Sequence, residues 1–556
     1  MRTSVELPQP ATCRPIAEVG EELGLAPSDL EPYGRDVAKV APAALARAAA
    51  GSRGSLVLVT AVTPTSRGEG KTATAVGLVD ALRSLGVRAV ATLRQPSLGP
   101  VFGSKGCGSG GGRAAVVPGE RINLHLTGDF EAVTAAHNLA AALLDNHLNH
   151  GNALGIEPGS ITWPRALDVD DRALRDIVVG LGGPVNGPVR ETGFVITAAS
   201  EVMAVLALAD DLADVRRRLA RVVVARRRGG MPVTLDDLRA AGAMTALLVD
   251  AVRPNLVQTL EGTPVLIHTG PFGNVAHGAS SVVADRLALG LADVVVTEAG
   301  FGAELGAEKF FDIKCRQSGL AVSAAVLVAT VGTLKRHGRS SRAPEHEDVE
   351  AVERGAENLA WHLGVLRQFG VPAVVAVNVF PTDTPAEIAA LREKALAAGA
   401  RAALPTTHYG EGGAGALDLA RAVRAAAREA PAALRLLYPD DLPLAAKIEA
   451  LATRVYGAGS VEYTRRAAAQ LEDLERIGFG RLPVCVAKTH LSLSHDPALG
   501  PTPRGFRFPV RELGLCAGAG FVTVVAGEMQ LIPGLPARPA AESIDVDADG
   551  RITGLR

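Results

Sequence analysis

Cysteine is scarce in this 556-residue chain: five copies, Cys13, Cys107, Cys315, Cys485 and Cys516, stand far apart. They are odd in number and form no Cys-x-x-Cys pair, which argues against a disulfide framework and against a thiolate metal site. An excess of charge of one sign is also missing. Net charge is −2 and the pI about 6.7, so no general attraction to nucleic acid or anionic membrane is expected. Long apolar runs are missing too. The first ten residues lack the apolar core of a signal peptide, and no run approaches the length of a membrane span. A soluble cytoplasmic protein is expected. Lysine is rare, with nine copies against 48 arginines, so Lys71 in the glycine loop stands out a little.

Apolar residues make up 47% of the chain. The length exceeds what one core normally serves, and two to four domains are expected. The most informative stretch is 56–98. An apolar run, Leu56-Val57-Leu58-Val59, leads to Thr65-Ser66-Arg67-Gly68-Glu69-Gly70-Lys71-Thr72. Helical spacing follows through Val76, Val79 and Leu82, and a second apolar run ends at Arg94. Strand, glycine loop, helix and strand make a βαβ unit. Backbone N–H groups of such a loop and of the helix start converge on an anion. Lys71 adds a point charge, and the Thr72 hydroxyl can reach a phosphate-bound Mg²⁺. Thr65 stands where the usual phosphate loop has its first glycine. Arg94, at the end of a parallel strand, is expected in the same crevice.

The rest of the chain alternates strand-like and helix-like segments, which argues α/β with a mostly parallel sheet. Residues 1–50 read as an Ala-rich helical arm with Ser28 as a candidate N-cap, and with Tyr33 and Val37 packing on the body. The glycine-dense stretch 99–112 reads as a lid over the crevice. Residues 121–127 alternate apolar and polar and read as a strand ending at Asp129. His147 and His150 stand at i,i+3, but without a third ligand they read as packing residues. Residues 166–255 read as mostly helical, with arginine runs as a solvated face or subunit contact. A strand at 266–269 is followed by a turn and a helix carrying His277. A strand at 293–297 ends at Glu298-Ala299-Gly300-Phe301, a ligand-facing set. Residues 372–377 are another buried strand, 434–457 are helical, and 484–556 are richer in short strands and turns.

With these segments assembled, the chain resembles the formate–tetrahydrofolate ligases. The resemblance is carried by Thr63-Pro64-Thr65 with Gly68-Glu69-Gly70-Lys71-Thr72, Pro96-Ser97-Leu98-Gly99-Pro100, Thr127-Gly128-Asp129, Pro254-Asn255-Leu256-Val257-Gln258-Thr259, Thr297-Glu298-Ala299-Gly300-Phe301-Gly302, Phe380-Pro381-Thr382-Asp383-Thr384, Pro533-Gly534-Leu535-Pro536 and Asp547-Ala548-Asp549-Gly550. It implies a P-loop-type mostly parallel sheet flanked by helices, with smaller α/β and α+β C-terminal domains. The corresponding boundaries are 1–360 for the nucleotide-binding domain, 361–455 for a second α/β domain contributing to the folate pocket, and 456–556 for an α+β domain.

The resemblance further implies formate, MgATP and tetrahydrofolate as substrates, a possible monovalent cation, and a homotetramer without nucleic-acid or membrane partners. Formate would attack the γ-phosphate to give formyl phosphate, and tetrahydrofolate would take the formyl group. Lys71 and Arg94 are then catalytic. Residues 65–72 bind nucleotide, with Thr72 on Mg²⁺. Asp129, Phe301, Phe380, Pro381, Leu404 and His408 line the folate pocket. Two departures stand out: Gln95 replaces the family's glutamate after Arg94, and His408-Tyr409 falls where the family has a stacking tryptophan. These leave open another phosphate-loop enzyme acting on a different acid, or a nucleotide-binding regulator without turnover.

Overall fold

Runs of Val, Leu, Ile and Ala with both faces apolar suit strands covered on both sides. Such runs supply the centre of a computed structural model that describes residues 13–51, 54–65, 68–104, 108–343, 345–429 and 434–555. Ser66, Arg67, Lys105 and Cys107 lie outside the described residues. The main sheet is built from β1 (Leu30–Pro32), β2 (Ala38–Val40), β3 (Ser55–Ala61), β4 (Ala89–Leu93), β5 (Gly110–Gly111), β6 (Ala114–Val117), β7 (Asn255–Thr259), β8 (Pro264–Ile267), β9 (Val294–Glu298), β10 (Ala324–Ala329), β11 (Ala373–Asn378) and β12 (Ala402–Thr406). Their order is β1-β2-β7-β8-β4-β9-β3-β10-β11-β12, with β6 on β7 and β5 on β6. The run from β8 to β12 is parallel throughout. The protein is therefore α/β, with a large, mostly parallel sheet flanked by helices.

Successive side chains of a strand point to opposite faces. Leu56 and Leu58 of β3 enter one core with helix α3 (Val282–Leu291) and helix α4 (Val349–Gln368). Val57 and Val59 enter the other core with helix α1 (Lys71–Ser84) and helix α5 (Leu417–Glu429). Each fully buried side chain of this kind contributes about 1.5–3 kcal/mol. A third core gathers around helix α2 (Asp129–Asn149) and the helix Glu201–Leu208.

Several local expectations are corrected. Residues 121–127 are not a strand. A short helix, Gly119–Asn123, is followed by a turn with Leu126 at φ 46° and Gly128 at φ 88° capping α2. Ile122 and Leu126 are both buried, Ile122 within that helix and Leu126 in the turn that follows it. The N-terminal segment is no arm, because β2 pairs antiparallel with β7 inside the sheet. Val37 is buried and Tyr33 packs on the same core, as expected. Ser28 sits within the 3₁₀ turn Pro27–Asp29, where Asp29 Oδ2 accepts from the Ala26 N–H at 2.9 Å.

His277 lies in a turn rather than a helix, and α3 starts only at Val282, capped by Ser281. Residues 166–255 mix the helices Glu201–Leu208, Leu212–Arg221 and Ala241–Leu247 with small two-stranded sheets. Within their arginine runs, Arg218 is buried, donating to Asp214 at 2.7 Å and Gln317 at 2.9 Å. Between 434 and 457 the helix is limited to Leu444–Arg454. Short strands do concentrate beyond 484, where Val484–Ala487, Phe521–Val525 and Glu512–Cys516 form a three-stranded sheet. No helix among the described residues is long and apolar enough to cross a membrane.

Candidate functional site

The parallel strands all present their C-terminal ends at one edge, where open α/β sheets bind ligands. β3 delivers the glycine loop there. Gly68 and Gly70 both adopt φ 75°, the left-handed region that glycine enters without strain, and Gly70 starts α1. β4 delivers Arg94 to the same edge. β3 and β4 are parallel but not adjacent, since β9 lies between them and pairs with both. Its last residue, Glu298, thereby falls between loop and arginine. Thr72 Oγ1 donates to Glu298 Oε2 at 2.8 Å.

The described residues on either side of Ser66-Arg67 are held from inside. Glu69, 2% exposed, accepts from the Thr65 N–H at 2.9 Å and the Thr65 hydroxyl at 3.2 Å through Oε1. Its Oε2 accepts from the Thr333 hydroxyl. Asn378, at the end of β11, donates to Glu69 O at 3.0 Å. At the loop's start, the Thr63 N–H donates to Asn358 Oδ1 at 3.1 Å and His362 Nε2 at 2.9 Å. These partners stand at i,i+4 on α4, so one helix face grips the loop. Burial pushes His362 down to about 3, with the Lys488 charge adding to the effect. The ring is therefore neutral. Its Nε2 must accept, which assigns the proton to Nδ1, 3.5 Å from Glu304 Oε2.

Lys71 and Arg94 share one electrostatic environment. Burial lowers both from their ordinary values. Glu69 and Glu298 oppose this at Lys71, and Glu298 opposes it at Arg94. Arg94 Nη1 donates to Pro271 O at 3.0 Å, while its buried Nε has no partner. The guanidinium lies against Gly300, where an added Cβ would stand 3.1 Å from Nη2. Gln95 is buried, and neither of its side-chain polar atoms has a partner.

The expected folate residues lie at or near the same edge, except Leu404, which sits midway along β12. Phe301 follows Glu298 at φ 64° and stacks on His490 with centroids 4.6 Å apart. A non-glycine residue in that region is strained, as happens at ligand-contacting positions. Phe380 is 50% exposed, Pro381 is exposed, and Leu404 is half-buried on β12. His408 is buried against Gly77 of α1, with Nε2 3.4 Å from Thr74 Oγ1, and burial lowers it to about 4. Tyr409 is the outward ring of that pair, 53% exposed, and lies over Gly111. Asp129 is buried, with Lys39 Nζ at 2.7 and 3.0 Å and Asn255 Nδ2 at 2.8 Å.

Lys71, Thr72 and Arg94 thus converge, with Phe301 beside them on the loop after β9. Sequence reasoning did not single out Asn358, His362 or Lys39. Two polar residues at i,i+4 in an otherwise apolar helix face were the available signal for the first two. His147 and His150 are local: His147 Nε2 accepts from the Leu154 N–H at 3.1 Å, and His150 Nδ1 lies 3.0 Å from Asn146 O.

The family model for formate–tetrahydrofolate ligase matches residues 2–556. A formate–tetrahydrofolate ligase of Roseiflexus sp. (strain RS-1) is 55% identical over 564 residues, covering 100% of both chains. One from Saccharopolyspora erythraea is 55% identical over 562 residues, covering 100% of this chain and 99% of its own. One from Paracoccus denitrificans is 54% identical over 556 residues, covering 100% of both. Matched from end to end at this level, the chain belongs to the formate–tetrahydrofolate ligase family.

Proposed function

We propose that this chain joins formate to tetrahydrofolate at the expense of ATP, through formyl phosphate, giving 10-formyltetrahydrofolate, ADP and phosphate. The observation that carries the reading is the convergence of the Gly70–Lys71–Thr72 helix start, Glu298 and Arg94 at three adjoining strand ends. A P-loop-type site at 65–72 would hold the triphosphate through backbone N–H groups and Lys71. Thr72 and Glu298 offer the oxygen donors that Mg²⁺ takes, and the ion would neutralise phosphate charge. Arg94 has a planar fork matched to a carboxylate or phosphate. It would hold formate with one oxygen towards the γ-phosphorus. The new O–P bond forms as the bond to ADP breaks, a step that depends on positioning and charge stabilisation. The N10 amine then attacks the formyl carbon, phosphate leaves, and the amine proton is lost.

Phe301, Phe380, Pro381 and Leu404 would form the apolar folate pocket, with Tyr409 rather than His408 offering the exposed ring. Asp129 would face the pterin side, its carboxylate oriented by Lys39 and Asn255. The glycine-dense stretch 99–112 would shield the labile anhydride from water, and a homotetramer remains the proposed assembly. The reading is tested by following 10-formyltetrahydrofolate in mixtures lacking ATP, formate or tetrahydrofolate in turn. Product must require all three and match ADP one to one.

A further inference from the structure

Helix α4 has a second working face. Asn358 and His362 grip the glycine loop, but Glu357 and Trp361, one residue earlier in each case, line a separate groove of about 560 Å³. Four arginines line it as well: Arg367, Arg435, Arg454 and Arg504. Arg504 alone has a carboxylate among the described residues, Glu357 at 3.0 Å, and its guanidinium lies 4.4 Å over the Trp361 ring. The other three are anchored on neutral groups. Arg367 donates to Ala398 O, Arg435 to Arg367 O, and Arg454 to Leu437 O and Gln368 Oε1. A guanidinium has five N–H donors, so each retains several for a ligand. The groove holds four positive charges against one negative. Like charges so gathered repel one another until a counter-charge enters.

We propose that this groove binds a small linear polyanion, a chain of phosphate or carboxylate groups. Length and chemistry both favour it. Glu357 and Gln368 both line the groove, and eleven residues of helix span about 16 Å. A single anion meets one or two of these arginines, whereas an extended polyanion meets them in series. Guanidinium forks pair with carboxylate and phosphate oxygens in bidentate fashion. The site is distinct from the glycine loop, which uses Lys71 and Thr72.

Trp361 is a built-in reporter. The chain has two tryptophans, and Trp163 is buried in a stack on His137. Trp163→Phe therefore leaves the groove as the source of indole fluorescence. Inorganic tripolyphosphate and triglutamate are titrated separately into this full-length variant. The expected result is a saturable change with at least one probe, weakened at least tenfold by Arg367→Glu and unchanged by Lys71→Ala. A response to tripolyphosphate alone assigns the phosphate class, and one to triglutamate alone the carboxylate class. Arg367 is exposed, and calorimetry on the otherwise unaltered chain with and without Arg367→Glu gives a second measurement. The proposal is overturned by no saturable binding of either probe, by equal affinity in Arg367→Glu, or by loss of the response in Lys71→Ala. A change of oligomeric mass in Arg367→Glu with unchanged binding would overturn it in favour of a subunit contact.

Discussion

The hydroxyl of Thr72 donates to Glu298 Oε2 at 2.8 Å across 226 residues of sequence. This bond ties the start of α1 to the end of β9 and places a carboxylate where Lys71 and Arg94 both feel it. Glu298→Gln keeps an acceptor for Thr72 and removes the charge. Under the Mg²⁺ reading, kcat should fall at least tenfold and require more Mg²⁺, while Tm changes little. Steady-state rates against Mg²⁺ at fixed ATP decide this, and an unchanged Mg²⁺ dependence counts against Glu298 as a ligand.

Arg94→Lys preserves charge but replaces a planar fork with a single ammonium. Losing one charge-assisted hydrogen bond costs about 1.5–3 kcal/mol, which corresponds to about 10- to 100-fold in affinity. Formate KM should rise by that factor with ATP KM nearly constant. Equal movement of both constants would mean that Arg94 serves the nucleotide instead.

The pair His408-Tyr409 makes opposite predictions for its two members. His408 is 2% exposed and packs against Gly77 of α1, so a larger ring at this position must displace buried neighbours. His408→Trp should therefore lower Tm rather than tighten folate binding, because overpacking a core costs about 1–3 kcal/mol. Tyr409→Ala should raise folate KM about threefold to tenfold, the value of an aromatic stack, with ATP and formate KM unmoved. Thermal melts and three-substrate kinetics separate these outcomes.

The βαβ unit at 56–98 was legible because everything that defines it is local: an apolar run, two glycines, Lys71-Thr72 and a helical period. The insertion of β9 between β3 and β4 was not, since strand adjacency depends on partners two hundred residues away. The same limit hid Lys39, whose ammonium is buried against Asp129, and the grip of Asn358 and His362 on Thr63. Residues 121–127 misled because short turns of helix and alternating strands look alike over seven positions. His408 and Tyr409 were identified as a pair, but which of two neighbours turns inward is decided by the packing of α1, not by their identity.

Asp80 supplies a pH prediction. It is buried on α1, accepts from the Thr259 hydroxyl at 2.6 Å through Oδ1, and has no partner at Oδ2. Burial raises it to about 7 from 3.8. Between those values the folded protein holds a proton that the unfolded chain has released, so stability falls as pH rises through the window. Asp80→Asn removes that dependence. The variant should be more stable than the parent at pH 8, by a few kcal/mol at most since one pKa unit is about 1.4 kcal/mol, and the gap should close towards pH 4. Denaturant midpoints at the two pH values check it. A gap that widens on acidification would contradict it.

The central claim is that the glycine loop and Arg94 form one crevice in which formate is activated by ATP and passed to tetrahydrofolate. The most direct measurement is 10-formyltetrahydrofolate formation by the parent chain and by Lys71→Ala at saturating ATP, formate and tetrahydrofolate, with Tm recorded for both. The account predicts product in the parent only when all three substrates are present, and a loss of at least a thousandfold in Lys71→Ala with Tm preserved. Near-parental turnover by Lys71→Ala, or product formed by the parent without ATP, would contradict it.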